Sequence, residues 1–179
     1  DILYATGIAE NFQVAETIIA NYNPRMCHFT PAIVSLLYRK YETVMSQQAK
    51  EIIKDYLLYV RDEFMGHDLD FIGVNDNFPM MSTLTAMNMA AMFDDDVMQK
   101  EAERRLKQLE CLLKRRGVLS EYTSVVYSAL QINVLARLTE YATCEAFKTI
   151  AQNAQIRVWA DLISHYHPFI GRFAGPNSR

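Results

Sequence analysis

Apolar residues recur every three or four positions through most of the chain, in runs that are separated by few breaks. Such spacing places apolar side chains along one face of a helix. Only six glycines and five prolines occur in 179 residues, and the breaks that they make fall between the periodic runs. The pattern therefore predicts an all-α fold built from long helices.

The first predicted helical hairpin lies in the N-terminal third of the chain. Thr30 as N-cap and Pro31 in the first turn predict a helix that extends to about Met45. Ser46 then opens a second helix, which stops at Gly66. Apolar spacing in TGIAENFQVAETIIA, ahead of this hairpin, indicates part of a further one.

Two more hairpins follow. One pairs TLTAMNMAAMF with VMQKEAERRLKQLECLLKRR, and the other pairs VVYSALQINVLARLTEYA with CEAFKTIAQNAQIRVWADLISHYH. Capping residues and helix breakers set their limits. In chain order, the predicted limits are Pro79 with Ser82, Asp94 to Asp96, Gly117, Ser124, Thr143, and Pro168 with Gly171.

A common step relates the three hairpins. Phe29, Phe78 and Tyr127 are 49 residues apart, and each introduces the first helix of its pair. Such a repeat is typical of stacked hairpins, which form an open α-solenoid or a closed α/α toroid. The apolar first helices are expected on the inside and the amphipathic second helices outside. We expect residues 1–179 to form one domain, a fragment or half of a larger toroid.

Charge and cysteine content narrow the function classes. Lys and Arg total 18 against 21 Asp and Glu, and a net charge of −3 favours neither nucleic acid nor an anionic membrane. No apolar run is long enough for a membrane span. Cys27, Cys111 and Cys144 lack metal-ligand spacing and are predicted to be free thiols, which slightly favours the cytoplasm. No cofactor or metal is predicted.

The segments that join one hairpin to the next are predicted to lie at one end of the array, which we call the linker end. They are residues 23–29, 66–79, 117–124 and 171–179. The inner helices begin there, and helix N-termini favour a bound anion. The polar candidates at the linker end are His28, Asn75, Asp76, Asn77, Glu121, Tyr122, His165, His167 and Arg179.

Each candidate also has a purely structural interpretation. Asp76 lies between two asparagines and could form an Asx-turn that caps the following helix. Glu121 and Tyr122 precede a helix start, where they could serve as a cap and a hydrophobic staple. His165 and His167 could stabilise a helix end as imidazolium, and they would suit a metal only in an extended chain.

Three segments carry a resemblance to known proteins. They are GVNDNFP, SEYTSVVYSALQINVLARLTEYA and HYHPFIGRFAGPNSR, which together extend from residue 73 to the end of the chain. They resemble α/α-toroid proteins related to polysaccharide lyases of the heparinase and alginate-lyase type and to glycoside hydrolases. The resemblance implies that the chain cleaves a carbohydrate polymer, by β-elimination or by hydrolysis.

For a lyase, the resemblance implies roles for the Asn-rich loop and for two tyrosines. Asn75 or Asn77 would neutralise the carboxylate of a uronic acid, and Tyr122 or Tyr127 would transfer the protons. Phe78 stands where those lyases often carry a histidine.

For a hydrolase, Asp76 and Glu121 are the two carboxylates that would flank the glycosidic bond. His28, His167 and Arg179 are further candidate substrate-binding residues at the linker end. A different class stays open, a non-catalytic helical-repeat scaffold that binds a peptide or protein partner on its concave face. The rest of its own toroid is a possible partner in either case.

Overall fold

The computed structural model describes residues 28–66, 69–122 and 124–174. The chain divides into two compact units, residues 1–65 and 66–179. The described residues form six α-helices and one short β-hairpin, which confirms the all-α prediction. The helices are α1 (Phe29–Tyr41), α2 (Gln47–Tyr59), α3 (Asn77–Phe93), α4 (Asp96–Arg116), α5 (Val125–Glu140) and α6 (Glu145–His165).

The first unit contains the hairpin of α1 and α2. Helix α1 begins at Phe29 rather than after Thr30, and it ends at Tyr41 rather than near Met45. The earlier end follows from a turn in which the backbone N–H of Met45 donates to the carbonyl of Tyr41, 3.0 Å away. Ser46 caps α2 as predicted, because its hydroxyl accepts from the backbone N–H of Ala49.

The prediction that the second helix stops at Gly66 is also wrong. Helix α2 ends at Tyr59, and a short 3₁₀ helix follows over Arg61–Phe64. Gly66 comes after this 3₁₀ turn with a φ of +90°, a conformation that glycine adopts without a Cβ clash.

The second unit packs two hairpins against each other in two layers. Helix α3 packs on α5 in one layer, and α4 packs on α6 in the other. Every residue of α3 from 79 to 90 is buried, which its uncharged sequence of Met, Ala, Thr and Asn allows. Thr83 and Thr85 satisfy their hydroxyls on backbone carbonyls one turn earlier. The linker that carries Asp76 therefore leads into a helix that is buried over most of its length.

Capping explains most boundaries of the second unit. The Asp95 carboxylate accepts from the backbone N–H groups of two α4 residues, and Gly117 ends α4 in the left-handed conformation at φ +80°. The Ser124 hydroxyl caps α5. Thr143 was predicted to cap α6, but the N-cap position belongs to Cys144, whose side chain makes no capping bond. The Thr143 hydroxyl contacts the side chain of Gln99 instead.

A β-hairpin that the sequence pattern did not predict closes the described chain. Strand β1 (Tyr166–His167) pairs antiparallel with β2 (Arg172–Phe173), and Gly171 adopts φ +62° in the turn between them. The Tyr166 and Phe173 rings meet edge to face, 5.6 Å between centroids. Pro168 and Gly171 therefore form a turn rather than a simple helix stop.

An ion-pair network holds the linker of residues 66–76 against α4. The Arg104 guanidinium lies 2.6 Å from Asp70 Oδ1 and 2.6 Å from Glu101 Oε1, and it donates to the carbonyl of Gly66. Glu101 also accepts from the buried Arg105 at 2.8 Å. Hydrogen bonding from Arg104 holds the pKa of Glu101 below its ordinary value. This network fixes the path of the linker toward the site.

Two observations bear on the predictions made from composition. Cys111 and Cys144 are exposed and free, as predicted, and Cys27 lies outside the described residues. Among the helices that the structure describes, none is long and apolar enough to cross a bilayer.

Candidate functional site

The linkers before α3 and before α5 meet at one end of the second unit. Two adjacent residues of the first linker, Asp76 and Asn77, hydrogen-bond to two adjacent residues of the second, Ser120 and Glu121. The partners are 44 residues apart in sequence. Asp76, Asn77 and Glu121 therefore lie together at the linker end of this unit, as predicted.

Glu121 lies at the centre of this contact with no exposed surface. Its Oε2 accepts from the backbone N–H of Asn77 at 3.0 Å and from Gln131 Nε2 at 2.9 Å. Its Oε1 accepts from Asn77 Nδ2 at 2.8 Å. Since Asn77 is the first residue of α3, this carboxylate from the linker before α5 caps α3.

Asp76 is also fully buried, and its carboxylate makes the reciprocal bond. Oδ2 accepts from the backbone N–H of Ser120, whereas Oδ1 has no hydrogen-bond partner among the described residues. Asp76 holds the N-cap position of α3, but its αR backbone leaves the side chain without a capping bond. The predicted Asx-type cap on its own helix is thus replaced by a bond to the neighbouring linker.

Arg116 joins the same two linkers from the end of α4. Its Nη1 donates to the carbonyl of Gly73 at 2.9 Å and to the hydroxyl of Ser120 at 3.1 Å. Gly73 has a φ of +78°, and a Cβ added there would collide with the Arg116 guanidinium. The positive φ favours glycine at this position, and a Cβ there would also displace the Arg116 guanidinium from its bonds.

Tyr122 directly follows the buried Glu121 in the sequence and is itself only partly buried. Together with Ser128 and Gln131 of α5 and Arg157 and Asp161 of α6, it lines a closed slot that leaves no room for a water molecule. The slot therefore places a phenol, a guanidinium and a carboxylate near one another at the linker end. Arg157 also lines a groove of about 280 Å³ between α4 and α6.

The remaining candidates lie in different surroundings. Asn75 is partly buried, and its Oδ1 accepts from the backbone N–H of Phe78 at 3.4 Å. Tyr127 is partly buried in the first turn of α5, and its backbone N–H donates to Ser124. His28 belongs to the first unit, and Arg179 lies outside the described residues.

His165 and His167 flank Tyr166 and lie in different elements, because α6 ends at His165. The Nδ1 atom of His165 lies 2.8 Å from the carbonyl of Asp161 and 3.4 Å from its carboxylate. His167 is exposed on β1, where its ring meets Phe169 edge to face at 6.0 Å. In the part of the chain that the structure describes, no group of three or more His, Cys, Asp or Glu side chains is arranged to hold a metal ion.

Residues of this site that the sequence did not predict include Ser120, Gln131, Arg157 and Asp161. Gln131 was detectable in principle, as an amide inside the otherwise apolar start of α5. The other three lie in polar or amphipathic segments where nothing in the sequence distinguishes them from ordinary surface residues.

Comparison with known proteins assigns a family but no activity. The model of a family described as "Domain of unknown function (DUF8769)" matches residues 6–179, and the chain belongs to that family. Among curated proteins and among solved structures, nothing matches the chain.

Proposed function

We propose that this member of the family binds an acidic polysaccharide at the linker end and cleaves it by β-elimination. Tyr122 transfers the proton, and Arg157 binds the carboxylate of the reacting uronic acid. The observation that carries the proposal is that Tyr122 and Arg157 line the same slot beside the two joined linkers, and this slot must open to admit a sugar.

Burial of the two carboxylates favours elimination over hydrolysis. A glycosidase needs one carboxyl group to protonate the leaving oxygen and another to act as nucleophile or base. Asp76 and Glu121 have no exposed surface, and both accept backbone N–H groups of the opposite linker. They hold the site together, and they lie out of reach of a polymer.

The slot supplies the groups that elimination requires. The base removes the proton on the carbon next to the carboxylate, a C=C bond forms, the C–O bond to the leaving sugar breaks, and the leaving oxygen gains a proton. A tyrosine can carry out both transfers when its phenolate takes the first proton and the resulting phenol returns it to the leaving oxygen, and a guanidinium stabilises the carboxylate as negative charge develops on it. Asn77, the earlier candidate for that second role, donates its amide N–H to Glu121 instead.

An α/α toroid built from repeats is the finer fold that we propose. The second helices of the hairpins begin at Gln47, Asp96 and Glu145, which are 49 residues apart. The buried residues of α6 follow buried residues of α4 by the same step: Phe147 and Met98, Ala151 and Ala102, Ala154 and Arg105, Val158 and Leu109, Leu162 and Leu113.

An uncovered stripe on α5 supports a further inner helix. Val126 is 71% exposed, and Ala129 and Asn133 on the same face are exposed as well. Their equivalents in α3, Asn77, Met80 and Leu84, are buried. The next inner helix of the same toroid would cover this stripe.

The activity is tested with the full-length protein on a panel of uronate polymers, by following the ultraviolet absorbance of the unsaturated product. We expect absorbance to rise, and Tyr122→Phe to lower the rate by at least about 100-fold, the usual contribution of a positioned proton-transfer group. Tyr141→Phe, a partly buried tyrosine at the opposite end of α5, is the matched control and should keep full activity. Full activity in Tyr122→Phe would remove Tyr122 from the mechanism.

A non-catalytic helical-repeat scaffold is the second candidate, and the uncovered stripe on α5 favours it. A partner helix would lay its apolar face against Val126 and Ala129. In that case neither unsaturated product nor reducing sugar forms on any polymer, and a bound partner slows amide hydrogen exchange in α5.

A further inference from the structure

The β-hairpin at the end of α6 presents two different faces. Because β1 and β2 pair in register, Tyr166 stands beside Phe173 on one face and His167 beside Arg172 on the other. The Phe169 ring, in the turn, meets the His167 ring 6.0 Å away. One face therefore combines an aromatic ring, an imidazole and a guanidinium.

Phe169 is 94% exposed, and the neighbouring Ile170 is 60% exposed. Leaving a phenyl ring in water forgoes about 2 kcal/mol of burial, and clustered exposed apolar groups commonly mark a binding surface. The flat apolar face of a sugar ring, which carries only C–H groups, packs well on an aromatic ring.

The charge of the hairpin selects the kind of sugar. Residues 162–174 contain Arg172 and two histidines but no Asp or Glu. The nearest preceding carboxylate, Asp161, contacts His165. Arg172 has no ion-pair partner within the described ranges, and a guanidinium binds a carboxylate through two parallel hydrogen bonds. An anionic sugar fits this face better than a neutral one.

The hairpin also begins close to the slot. Asp161 lines the slot beside Tyr122 and also contacts His165, which directly precedes β1. The hairpin therefore begins one residue beyond a direct contact with the slot lining.

We infer that His167, Phe169 and Arg172 form a subsite for a carboxylate-bearing sugar of the polymer. Phe169 stacks on the ring, and Arg172 with His167 binds the carboxylate. The identity of the polymer rests on the proposed function, but binding at this subsite requires no cleavage. An anionic membrane is a poorer fit, because a single arginine provides only a small part of the charge that membrane attraction requires.

The test is isothermal titration of the full-length protein with an oligogalacturonate and with a neutral glucan of equal length, at low salt. Each protein is first made cleavage-deficient by Tyr122→Phe. We expect Arg172→Gln and Phe169→Ala each to raise the Kd for oligogalacturonate about tenfold or more. Matched controls are Arg115→Gln and Val97→Ala, an exposed arginine and an exposed apolar residue on α4, which should leave the Kd unchanged.

Four outcomes would overturn the inference: no binding of oligogalacturonate, equal binding of the neutral glucan, an unchanged Kd in both hairpin variants, or binding only to phosphatidylserine vesicles. The proposed function fails separately. If the hairpin variants lose binding but the wild type forms no unsaturated product, the subsite stands and the lyase proposal falls. If the wild type cleaves and the hairpin variants keep its KM, the lyase proposal stands and the subsite falls.

Discussion

The contact between the two linkers depends on Glu121, and its removal should destabilise the second unit strongly. Glu121→Ala leaves three donors without their acceptor, the backbone N–H and Nδ2 of Asn77 and Nε2 of Gln131. Each buried unpaired donor costs about 1–3 kcal/mol. We expect a loss of about 4 kcal/mol, a large part of the stability of an ordinary domain.

Glu121→Gln should cost far less, about 1 kcal/mol, because the network can adapt to it. The glutamine carbonyl still accepts from the backbone of Asn77 and from Gln131. The new amide N–H of the glutamine faces Asn77 Nδ2 and needs an acceptor. Flipping the Asn77 amide brings its Oδ1 to that position, and Oδ1 has no partner among the described residues. The same reasoning predicts that Asn77→Asp alone is strongly destabilising, since two carboxylates would meet, and that Glu121→Gln rescues it.

The assay is urea unfolding followed through Trp159, the single tryptophan of the chain, which lies in the second unit. A double-mutant cycle over Asn77→Asp and Glu121→Gln should give a coupling energy of at least about 1 kcal/mol. The reasoning is refuted if Glu121→Ala costs no more than Glu121→Gln, or if the two substitutions in the cycle are additive.

Two further predictions concern the parts that hold the linkers. Gly73→Ala should destabilise the protein by more than Gly117→Ala, because both substitutions strain a positive φ but only the first also forces the Arg116 guanidinium away from its bonds to Gly73 and Ser120. Equal midpoints in urea would contradict this. Glu101→Gln should cost about 2 kcal/mol at neutral pH. Its hydrogen bond with Arg104 lowers the folded pKa of Glu101, so the difference from wild type should vanish as pH falls through that pKa, and a pH-independent difference in unfolding midpoints would contradict it.

The sequence predicted those boundaries of the fold that depend on local chemistry. Ser46, Gly117 and Ser124 act on backbone groups within a few residues, and each ends or begins a helix as expected. The prediction that Thr143 caps α6 is wrong because its hydroxyl bonds to the side chain of Gln99, on the neighbouring hairpin. Capping propensity is a local preference, and a tertiary contact overrides it.

The candidate site was predicted in part, for a related reason. Linker topology was enough to bring Asp76 and Glu121 to the same end of the second unit. Their roles as reciprocal acceptors for the opposite linker depend on the register between two segments 44 residues apart, which apolar periodicity does not encode. The sequence could not identify Arg157, because an arginine on an outer helix resembles any other surface charge until α5 packs beside it.

The most direct test of the central claim is to digest a uronate polymer with the full-length protein in water enriched in heavy oxygen and to analyse the products by mass spectrometry. Elimination breaks the glycosidic bond without adding water, so the account predicts an unsaturated product that carries no label, formed by the wild type and lost in Tyr122→Phe. Products that are all saturated, with incorporated label and no unsaturated end, would show hydrolysis and would contradict the account.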